Sequence, residues 1–169
     1  TIVTGYDGRL TSPSLHKALC EGLKDSGVKV INIGMGPTPM TYFAHYHFEA
    51  DAAVMLTGSH NPSEYKGFKM VLNKHSFFAE DIQSLQKLLD NNALELVDGQ
   101  IIEQDITKEY IERDLLNISL NRKLKVAWDP GNGAMGKVTR KITEKLFNSE
   151  NIIINEEVDG NFPNHHPDP

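Results

Sequence analysis

The sequence is poor in cysteine, and it has no long apolar run. Cys20 is the one cysteine among 169 residues, which excludes an internal disulfide and a cysteine-rich zinc site and favours a reducing cytoplasm. A membrane-spanning helix needs about 18 consecutive apolar residues, and no stretch of the chain approaches this length. The first residues also lack the basic and apolar regions of a secretory signal. We therefore expect a cytoplasmic protein that does not bind membranes.

Positive charge is also in short supply. The chain has 17 basic and 23 acidic residues and a net charge of -6, and no basic stretch that could follow a nucleic acid backbone. Nucleic acid binding is therefore not expected. Hydrophobic residues make up 39% of the chain and charged residues 24%, which is typical of a globular protein with a packed core. The chain begins inside a predicted strand without methionine, so we expect it to be part of a longer protein.

Strand and helix patterns alternate along the first 60 residues. Runs rich in β-branched residues predict three strands, at residues 2–6, 28–33 and 51–56. Ser12 and Thr38 are each followed by proline, which predicts that they cap the two intervening helices. This order favours parallel strands with right-handed crossovers. Residues 67–72 predict a further strand, antiparallel because its connection is too short for a helix.

The second half of the chain continues the α/β pattern. Helical spacing predicts helices over residues 79–90 and 107–116, with a loop over residues 91–105 between them. A polar link near residues 117–122 precedes a new strand at residues 124–128, as at a domain boundary. The sequence alone therefore predicts an α/β protein that enters a second domain.

Three polar loops with glycine are expected to meet at one edge of the sheet. They lie at residues 7–11, 34–38 and 58–62, and the carboxyl ends of parallel strands share an edge where ligands bind. Two of the loops open helices, whose free N–H groups attract anions. These loops predict a phosphate site, in which the hydroxyl of Ser59 follows a buried strand. The alternative is that Ser59 and its neighbours form only a turn.

The stretch from Gly131 to Gly136 has a different possible function. Its G-x-G-x-x-G pattern follows a strand and precedes a helix, as in dinucleotide-binding proteins, and it nearly matches a P-loop except that Val138 replaces the Ser or Thr. A nucleotide-binding module is therefore an alternative. The residues that follow are too few for a complete nucleotide-binding half, so we favour a tight strand-to-helix turn in which the glycines permit close packing.

Histidine pairs offer two further candidate sites. His165 and His166 have carboxylates nearby and could bind a metal, but adjacent histidines between prolines more often belong to a structural loop. His45 and His47 are two positions apart and do not share a helix face. We therefore predict no metal site at either pair.

Separated motifs resemble those of the α-D-phosphohexomutase family, the phosphomannomutases and phosphoglucomutases. The similar segments are GYDGRLTS at residues 5–12, GPTP at residues 36–39, TGSHNP at residues 57–62, and residues 129–136 and 159–169. The resemblance covers nearly the whole chain. It implies a three-layer αβα domain with a mixed, mainly parallel sheet at residues 1–120, which carries the phosphoserine loop. Residues 121–169 would begin a second, similar α/β domain and leave it incomplete.

The resemblance also implies an activity. Enzymes of this family carry a phosphate on the serine that matches Ser59, transfer it to a hexose monophosphate, and take back the other phosphate of the bisphosphorylated sugar. Hexose 1-phosphate and hexose 6-phosphate of mannose or glucose are thereby interconverted. Lys69 and His60 match the other catalytic positions, and Lys69 matches the residue associated with proton transfer. A nearby phosphate would raise the pKa of Lys69, whereas a nearby cation would lower it. The sequence does not decide between these two effects.

Other implied functions concern binding. Arg9 would neutralise phosphate or position the loop, and Asn61 would hold the turn. The family uses Mg²⁺, which these residues would bind only through the phosphate on Ser59, because the family's aspartate-rich metal loop is not in this sequence. The loops that select the hexose are also missing. We therefore expect these 169 residues alone to be inactive and to need the remaining domains, or else to be a non-catalytic remnant.

Two positions depart from the family pattern. Gly58 replaces the commoner alanine, and Lys66 stands where asparagine is usual. The glycine is expected to loosen the loop. Lys66 adds a cation that either contacts substrate or points to solvent.

Overall fold

A computed structural model describes residues 1–90, 96–146 and 148–167. Its first ten elements are β1 (Ile2–Tyr6), α1 (Ser12–Asp25), β2 (Lys29–Met35), α2 (Thr38–His47), β3 (Ala52–Leu56), β4 (Phe68–Leu72), β5 (His75–Phe77), α3 (Glu80–Asp90), β6 (Gln100–Glu103) and α4 (Thr107–Leu115). They are followed by β7 (Leu124–Trp128), α5 (Gly136–Lys145) and β8 (Ser149–Ile153).

The first six strands form one mixed sheet in the order β5-β4-β3-β1-β2-β6. The central strand β1 pairs in parallel with β2 and β3, and β4 runs antiparallel to β3. β7 and β8 form a separate parallel pair. The prediction of an α/β fold with a mixed, mainly parallel sheet is therefore confirmed. Because β1, β2 and β3 are parallel, the loops that follow them emerge at the same edge.

The loop predicted over residues 91–105 is partly wrong. Gln100–Glu103 form β6, which pairs in parallel with β2 at the sheet edge, with Ile101 opposite Val30. This strand has only four residues and two apolar side chains, too short a pattern to identify from spacing. Residues 91–95 of the predicted loop lie outside the described part of the chain.

The predicted caps of α1 and α2 are each wrong by one residue. Ser12 and Thr38 are the first helical residues, and the residues before them, Thr11 and Pro37, occupy the cap positions without a side-chain cap bond. The hydroxyl of Ser12 instead donates to Asp7 Oδ1 at 2.5 Å. The Ser12 hydroxyl, which the sequence assigned to helix capping, therefore bonds to the loop after β1.

The core is one cluster of buried residues from the sheet and from α2, α4 and α5. Buried residues from these elements include Val3, Ile31 and Ala53 of the sheet and Met40, Ile111 and Val138 of the helices. By contrast, the apolar residues of α3 are largely exposed, namely Ile82, Leu85, Leu88 and Leu89. Trp128 is half-buried, and its Nε1 donates to Asn151 Oδ1 at 3.0 Å. Within the described ranges, every helix is too short or too polar to cross a bilayer.

Candidate active site

The loops at the carboxyl ends of β1, β2 and β3 border one cavity of about 630 Å³. The loop after β7 and the tail at residues 162–167 form its other wall. Asp7, Arg9, Ser59, His60 and Lys69 all line this space. The three loops that topology brings to one edge therefore do enclose a site, and the second half of the chain completes it.

Ser59 is the exposed hydroxyl of this cavity. Its backbone is left-handed, with φ 54°, a conformation that costs free energy in any residue with a Cβ. The Ser59 N–H donates to Thr57 Oγ1 at 2.9 Å, and Lys69 Nζ donates to Ser59 Oγ at 3.3 Å. Lys69 reaches it because β3 and β4 are antiparallel and place Lys69 opposite Met55. The turn thus points a hydroxyl at an ammonium group.

The buried side chain of Arg9 stabilises this turn through hydrogen bonds to its main chain. Its side chain is only 1% exposed, and its guanidinium donates to three main-chain oxygens of the turn. These are the carbonyl oxygens of Ser59 at 3.0 Å, of Asn61 at 2.6 Å and of Pro62. Because most of its hydrogen-bonding capacity is directed at the main chain, Arg9 acts on the conformation of the loop. Of the two functions expected for Arg9, this geometry favours loop positioning.

Asp7 balances the buried charge of Arg9. Its carboxylate accepts from Arg9 Nε at 3.0 Å, from the Arg9 N–H at 3.1 Å and from the Gly58 N–H at 3.0 Å, in addition to the hydroxyl of Ser12. A buried ion pair is tolerable when such additional hydrogen bonds satisfy its partners. Asp7 therefore links the loop after β1 to the turn that carries Ser59.

The two departures from the family pattern both lie against this network. A Cβ on Gly58 would lie 2.4 Å from Arg9 Cζ and 2.4 Å from the carbonyl oxygen of Tyr65, so Gly58 lets the loop close tightly on Arg9. The expectation that this glycine loosens the loop finds no support in that packing. Lys66 Nζ donates to the carbonyl oxygen of Ser63 at 2.6 Å. Lys66 therefore bonds to the loop itself.

The remaining predicted site residues lie on the same turn. His60 is exposed and, with Ser59 and His166, lines a smaller adjoining cavity of about 440 Å³. Asn61 Nδ2 donates to the carbonyl oxygen of Gly58 at 2.9 Å, as expected for a residue that holds the turn. The structure therefore brings all five predicted residues, Ser59, Lys69, His60, Arg9 and Asn61, together at one loop.

Asp129 and His165 form a pair on the opposite wall that the sequence did not identify as part of this site. Asp129 Oδ2 is 3.0 Å from His165 Nε2, and His165 Nδ1 is 2.8 Å from the carbonyl oxygen of His166. That carbonyl and the carboxylate raise the pKa of His165. Hydrogen bonds from the Gly131 N–H and from Asn155 lower the pKa of Asp129. The sequence feature that could have identified Asp129 as a site residue is its position at the end of a strand, which it shares with Asp7.

The glycine-rich stretch forms a closed turn. The N–H groups of Gly131, Asn132, Gly133 and Gly136 donate to Asp129 Oδ1 and to the carbonyl oxygens of Asn155, Pro130 and Gly133. Since these amides already have acceptors, they cannot cradle a phosphate in the way a nucleotide-binding loop does. A Cβ on Gly136 would lie 1.9 Å from the carbonyl oxygen of Glu156. The glycines therefore serve close packing, as the turn interpretation predicts.

Metal ligands are scarce in this part of the protein. Among the described residues, no group of three His, Cys, Asp or Glu side chains is arranged to hold a metal ion. His45 is buried whereas His47 is exposed, as expected for residues that do not share a helix face. Asp168, one of the carboxylates near His165, lies outside the described residues.

Comparisons with known proteins find similar sequences along the whole chain. A family model described as phosphoglucomutase/phosphomannomutase, alpha/beta/alpha domain I, matches residues 1–95, and the model of domain II matches residues 108–169. A phosphomannomutase/phosphoglucomutase of Pseudomonas putida is 44% identical over 168 residues, which are 99% of this chain and 36% of the relative. A phosphoglucomutase of Neisseria gonorrhoeae is 42% identical over 170 residues, with 99% and 37% covered.

Solved structures give the same result. A phosphoglucomutase/phosphomannomutase family protein from Burkholderia thailandensis superposes with a TM-score of 0.90 at 38% identity, over 98% of this chain and 38% of that protein. A putative phosphomannomutase from Thermus thermophilus gives 0.83 at 25% identity, over 99% of this chain and 40% of that protein. The chain spans a little over a third of the length of these relatives. With its two matched segments, the chain belongs to the phosphoglucomutase/phosphomannomutase family.

Proposed function

We propose that this chain is the phosphoserine-bearing part of a phosphohexomutase, which interconverts hexose 1-phosphate and hexose 6-phosphate of mannose or glucose through a bisphosphorylated sugar. The observation that carries the proposal is the exposed Ser59 hydroxyl, held in a left-handed turn 3.3 Å from Lys69 Nζ. Residues 1–120 would form the domain with this loop, and residues 121–169 the beginning of the next. The unpaired thiol of Cys20 supports a cytoplasmic location.

In the proposed reaction, the active enzyme carries a phosphoryl group on Ser59 Oγ. A hydroxyl oxygen of the hexose monophosphate forms a new bond to phosphorus as the Ser59 Oγ–P bond breaks. Lys69 donates a proton to the released Ser59 Oγ and receives in exchange the proton that the sugar hydroxyl loses. The bisphosphorylated sugar then reorients, and the reverse transfer from its other phosphate restores phosphoserine, while Lys69 takes the proton of the Ser59 hydroxyl and returns one to the sugar oxygen that the phosphoryl group leaves.

The other site residues have supporting functions in this proposal. His60 is exposed beside Ser59 and would donate a hydrogen bond to a phosphate or sugar oxygen. Arg9 and Asn61 keep the turn in the conformation that presents Ser59, through hydrogen bonds to its main chain. This arrangement suits phosphoryl transfer, which depends on alignment and charge neutralisation.

Mg²⁺ is the proposed metal ion, but the residues present do not form a complete site for it. Asp7 and Asp129 are the carboxylates that line the cavity, and both already accept several hydrogen bonds from the protein. A phosphate on Ser59 would supply one oxygen ligand. The other ligands would come from the remaining domains of the full-length enzyme.

The decisive experiment removes the Ser59 hydroxyl in the natural protein that contains this chain. Ser59→Ala should lower the mutase rate by at least about a thousandfold, because no phosphoryl carrier remains, and mass spectrometry should find one acid-stable phosphate on Ser59 of the wild type. Lys69→Met should slow turnover while Ser59 stays phosphorylated. Ser63→Ala and Lys87→Met, at positions outside the cavity lining, serve as matched controls with near-normal rates. Wild-type rates in Ser59→Ala would overturn the proposal.

A further inference from the structure

Phe162 is a bulky residue in a left-handed conformation next to the site. Its φ is 51°, which is rare for an aromatic residue and costs free energy that the surroundings must offset. Strain of this kind concentrates at functional sites. The ring of Phe162 lies 5.2 Å from Arg9 Cζ, within cation–π range. Two strained residues, Phe162 and Ser59, therefore contact the same guanidinium.

The chain around Phe162 is packed closely on the loop after β1. A Cβ on Gly160 would lie 2.6 Å from Leu10 N and 2.9 Å from Arg9 Cα, and a Cβ on Gly8 would lie 2.4 Å from Val158 Cγ1. Both glycines are therefore needed for the two segments to approach. This close packing of the two segments accompanies the approach of the Phe162 ring to Arg9.

We infer that Phe162 is a positioning residue for phosphoryl transfer, which acts by holding the Arg9 guanidinium flat against the turn that carries Ser59. The inference rests on the proposed function and extends it from the turn to the second half of the chain. Arg9 donates to the carbonyl oxygens of Ser59, Asn61 and Pro62 in the plane of its guanidinium. Arg9 Cζ lies over the Phe162 ring, and this contact uses none of the N–H groups that Arg9 directs at the turn.

Removal of the ring has a specific consequence. Without Phe162, water reaches the guanidinium face and competes for the carbonyl oxygens of the turn. The strained backbone of Ser59 then has less to hold it, and the hydroxyl samples positions unsuited to transfer. Since Phe162 acts through Arg9, its loss should change kcat far more than KM. Its effect should also depend on Arg9.

A double-mutant cycle in the natural full-length protein tests this dependence, with Phe162→Ala, Arg9→Lys and the double variant. Phe162→Ala should lower kcat for the hexose phosphate by about three- to thirtyfold and change KM less than about twofold. Because lysine cannot bond to all three carbonyls at once, Phe162→Ala should cost much less in the Arg9→Lys background. Equal fold-losses in both backgrounds would overturn the inference.

Matched variants separate positioning from general damage. Phe162→Tyr keeps the aromatic face and should restore kcat, whereas Phe162→Leu keeps apolar bulk alone and should behave like Phe162→Ala. Phe162→Leu also replaces Phe162→Ala in the cycle if the smaller side chain prevents folding. Phe78→Ala removes an exposed ring outside the cavity lining and should leave kcat unchanged. Wild-type kcat in Phe162→Leu would also contradict the inference.

A measurement without catalysis separates this inference from the proposed function. In protein labelled with ¹⁵N-arginine, the Arg9 Nε–H resonance, assigned by its loss in Arg9→Lys, should shift and exchange faster with water in Phe162→Leu. An unchanged resonance would overturn the inference even if Ser59→Ala proves inactive. An active Ser59→Ala variant would overturn the proposed function, while the Arg9 resonance would still report whether Phe162 holds the guanidinium.

Discussion

Two turns border the same cavity, and each holds a residue other than glycine in the left-handed conformation. Ser59, with φ 54°, occupies the turn after β3, and Asn132, with φ 58°, occupies the turn after β7. Both turns are anchored by an aspartate that accepts a glycine N–H. Asp7 accepts from Gly58, and Asp129 accepts from Gly131. The local architecture of the two turns is therefore similar.

The two strained side chains differ in what they contact. Asn132 is 6% exposed; its Nδ2 donates to the carbonyl oxygen of Glu157 at 2.8 Å, and its Oδ1 accepts from Asn164 Nδ2 at 2.8 Å. Ser59 is exposed, and its hydroxyl meets the exposed ammonium of Lys69. The strain at Asn132 is offset by hydrogen bonds of its own side chain, whereas the strain at Ser59 is maintained by Arg9 from beneath. Glycine patterns alone cannot distinguish a structural turn from a reactive one.

The largest stability effect is expected at the structural turn. In Asn132→Gly, both side-chain hydrogen bonds are lost, while glycine relieves the left-handed strain. Two hydrogen bonds contribute about 1–3 kcal/mol, so the free energy of unfolding should fall by about 1–2 kcal/mol. Urea titration monitored by circular dichroism measures this loss, and Ser59 should still be phosphorylated.

A second left-handed asparagine provides the control for Asn132→Gly. Asn73, with φ 49°, is exposed in the turn between β4 and β5. Asn73→Gly should change the free energy of unfolding by less than about 0.5 kcal/mol. If Asn132→Gly is as stable as Asn73→Gly, the side-chain hydrogen bonds of Asn132 do not stabilise the turn after β7. That turn would then not differ in this respect from the turn that carries Ser59.

In the turn that carries Ser59, glycine is expected to increase stability relative to alanine, whereas glycine at position 132 is expected to lower it. Ser59→Gly relieves a left-handed strain that Ser59→Ala retains, so the glycine variant should be about 1 kcal/mol more stable than the alanine variant. Neither variant has the hydroxyl that we propose to carry the phosphoryl group, so both should be inactive. Thermal unfolding of the two proteins side by side checks the difference. An alanine variant that is the more stable of the two would show that the turn does not strain residue 59.

The sequence predicted which loops meet at the edge of the sheet, but it did not predict the contacts that those loops make with each other and with the second half of the chain. Alternating strands and helices placed Ser59 in a loop at the sheet edge, and the short connection after it predicted the antiparallel strand on which Lys69 lies. The role of Lys69 beside Ser59 came from the family resemblance. The bonds from Arg9 to the carbonyl oxygens near Ser59 depend on the path of the main chain, which side-chain patterns do not record. The cavity wall at Asp129 and His165 was missed for a similar reason, because residues 36 positions apart meet only after folding.

The two turns should also differ in their response to pH. His165 helps to anchor the second turn, through Asp129 and the carbonyl oxygen of His166, and these groups raise its pKa above the ordinary value of 6.5. Because the folded state binds the His165 proton more tightly than the unfolded state does, it gains stability. This gain is fully present below pH 6.5 and is lost as pH rises through the pKa of His165 in the folded protein. The first turn depends on Arg9, which stays charged throughout this range.

We therefore expect unphosphorylated wild-type protein to lose a little more thermal stability between pH 6 and about pH 8 than His165→Gln does. The effect should be the smallest of those described, because the pair is exposed and screened by solvent. His75→Gln, at an exposed histidine on β5, should keep the wild-type pH dependence. NMR titration should give His165 a midpoint above that of an ordinary histidine, and Asp129→Asn should lower it. A midpoint that Asp129→Asn leaves unchanged would mean that this carboxylate does not hold His165, and the second turn would then be anchored by its amides alone.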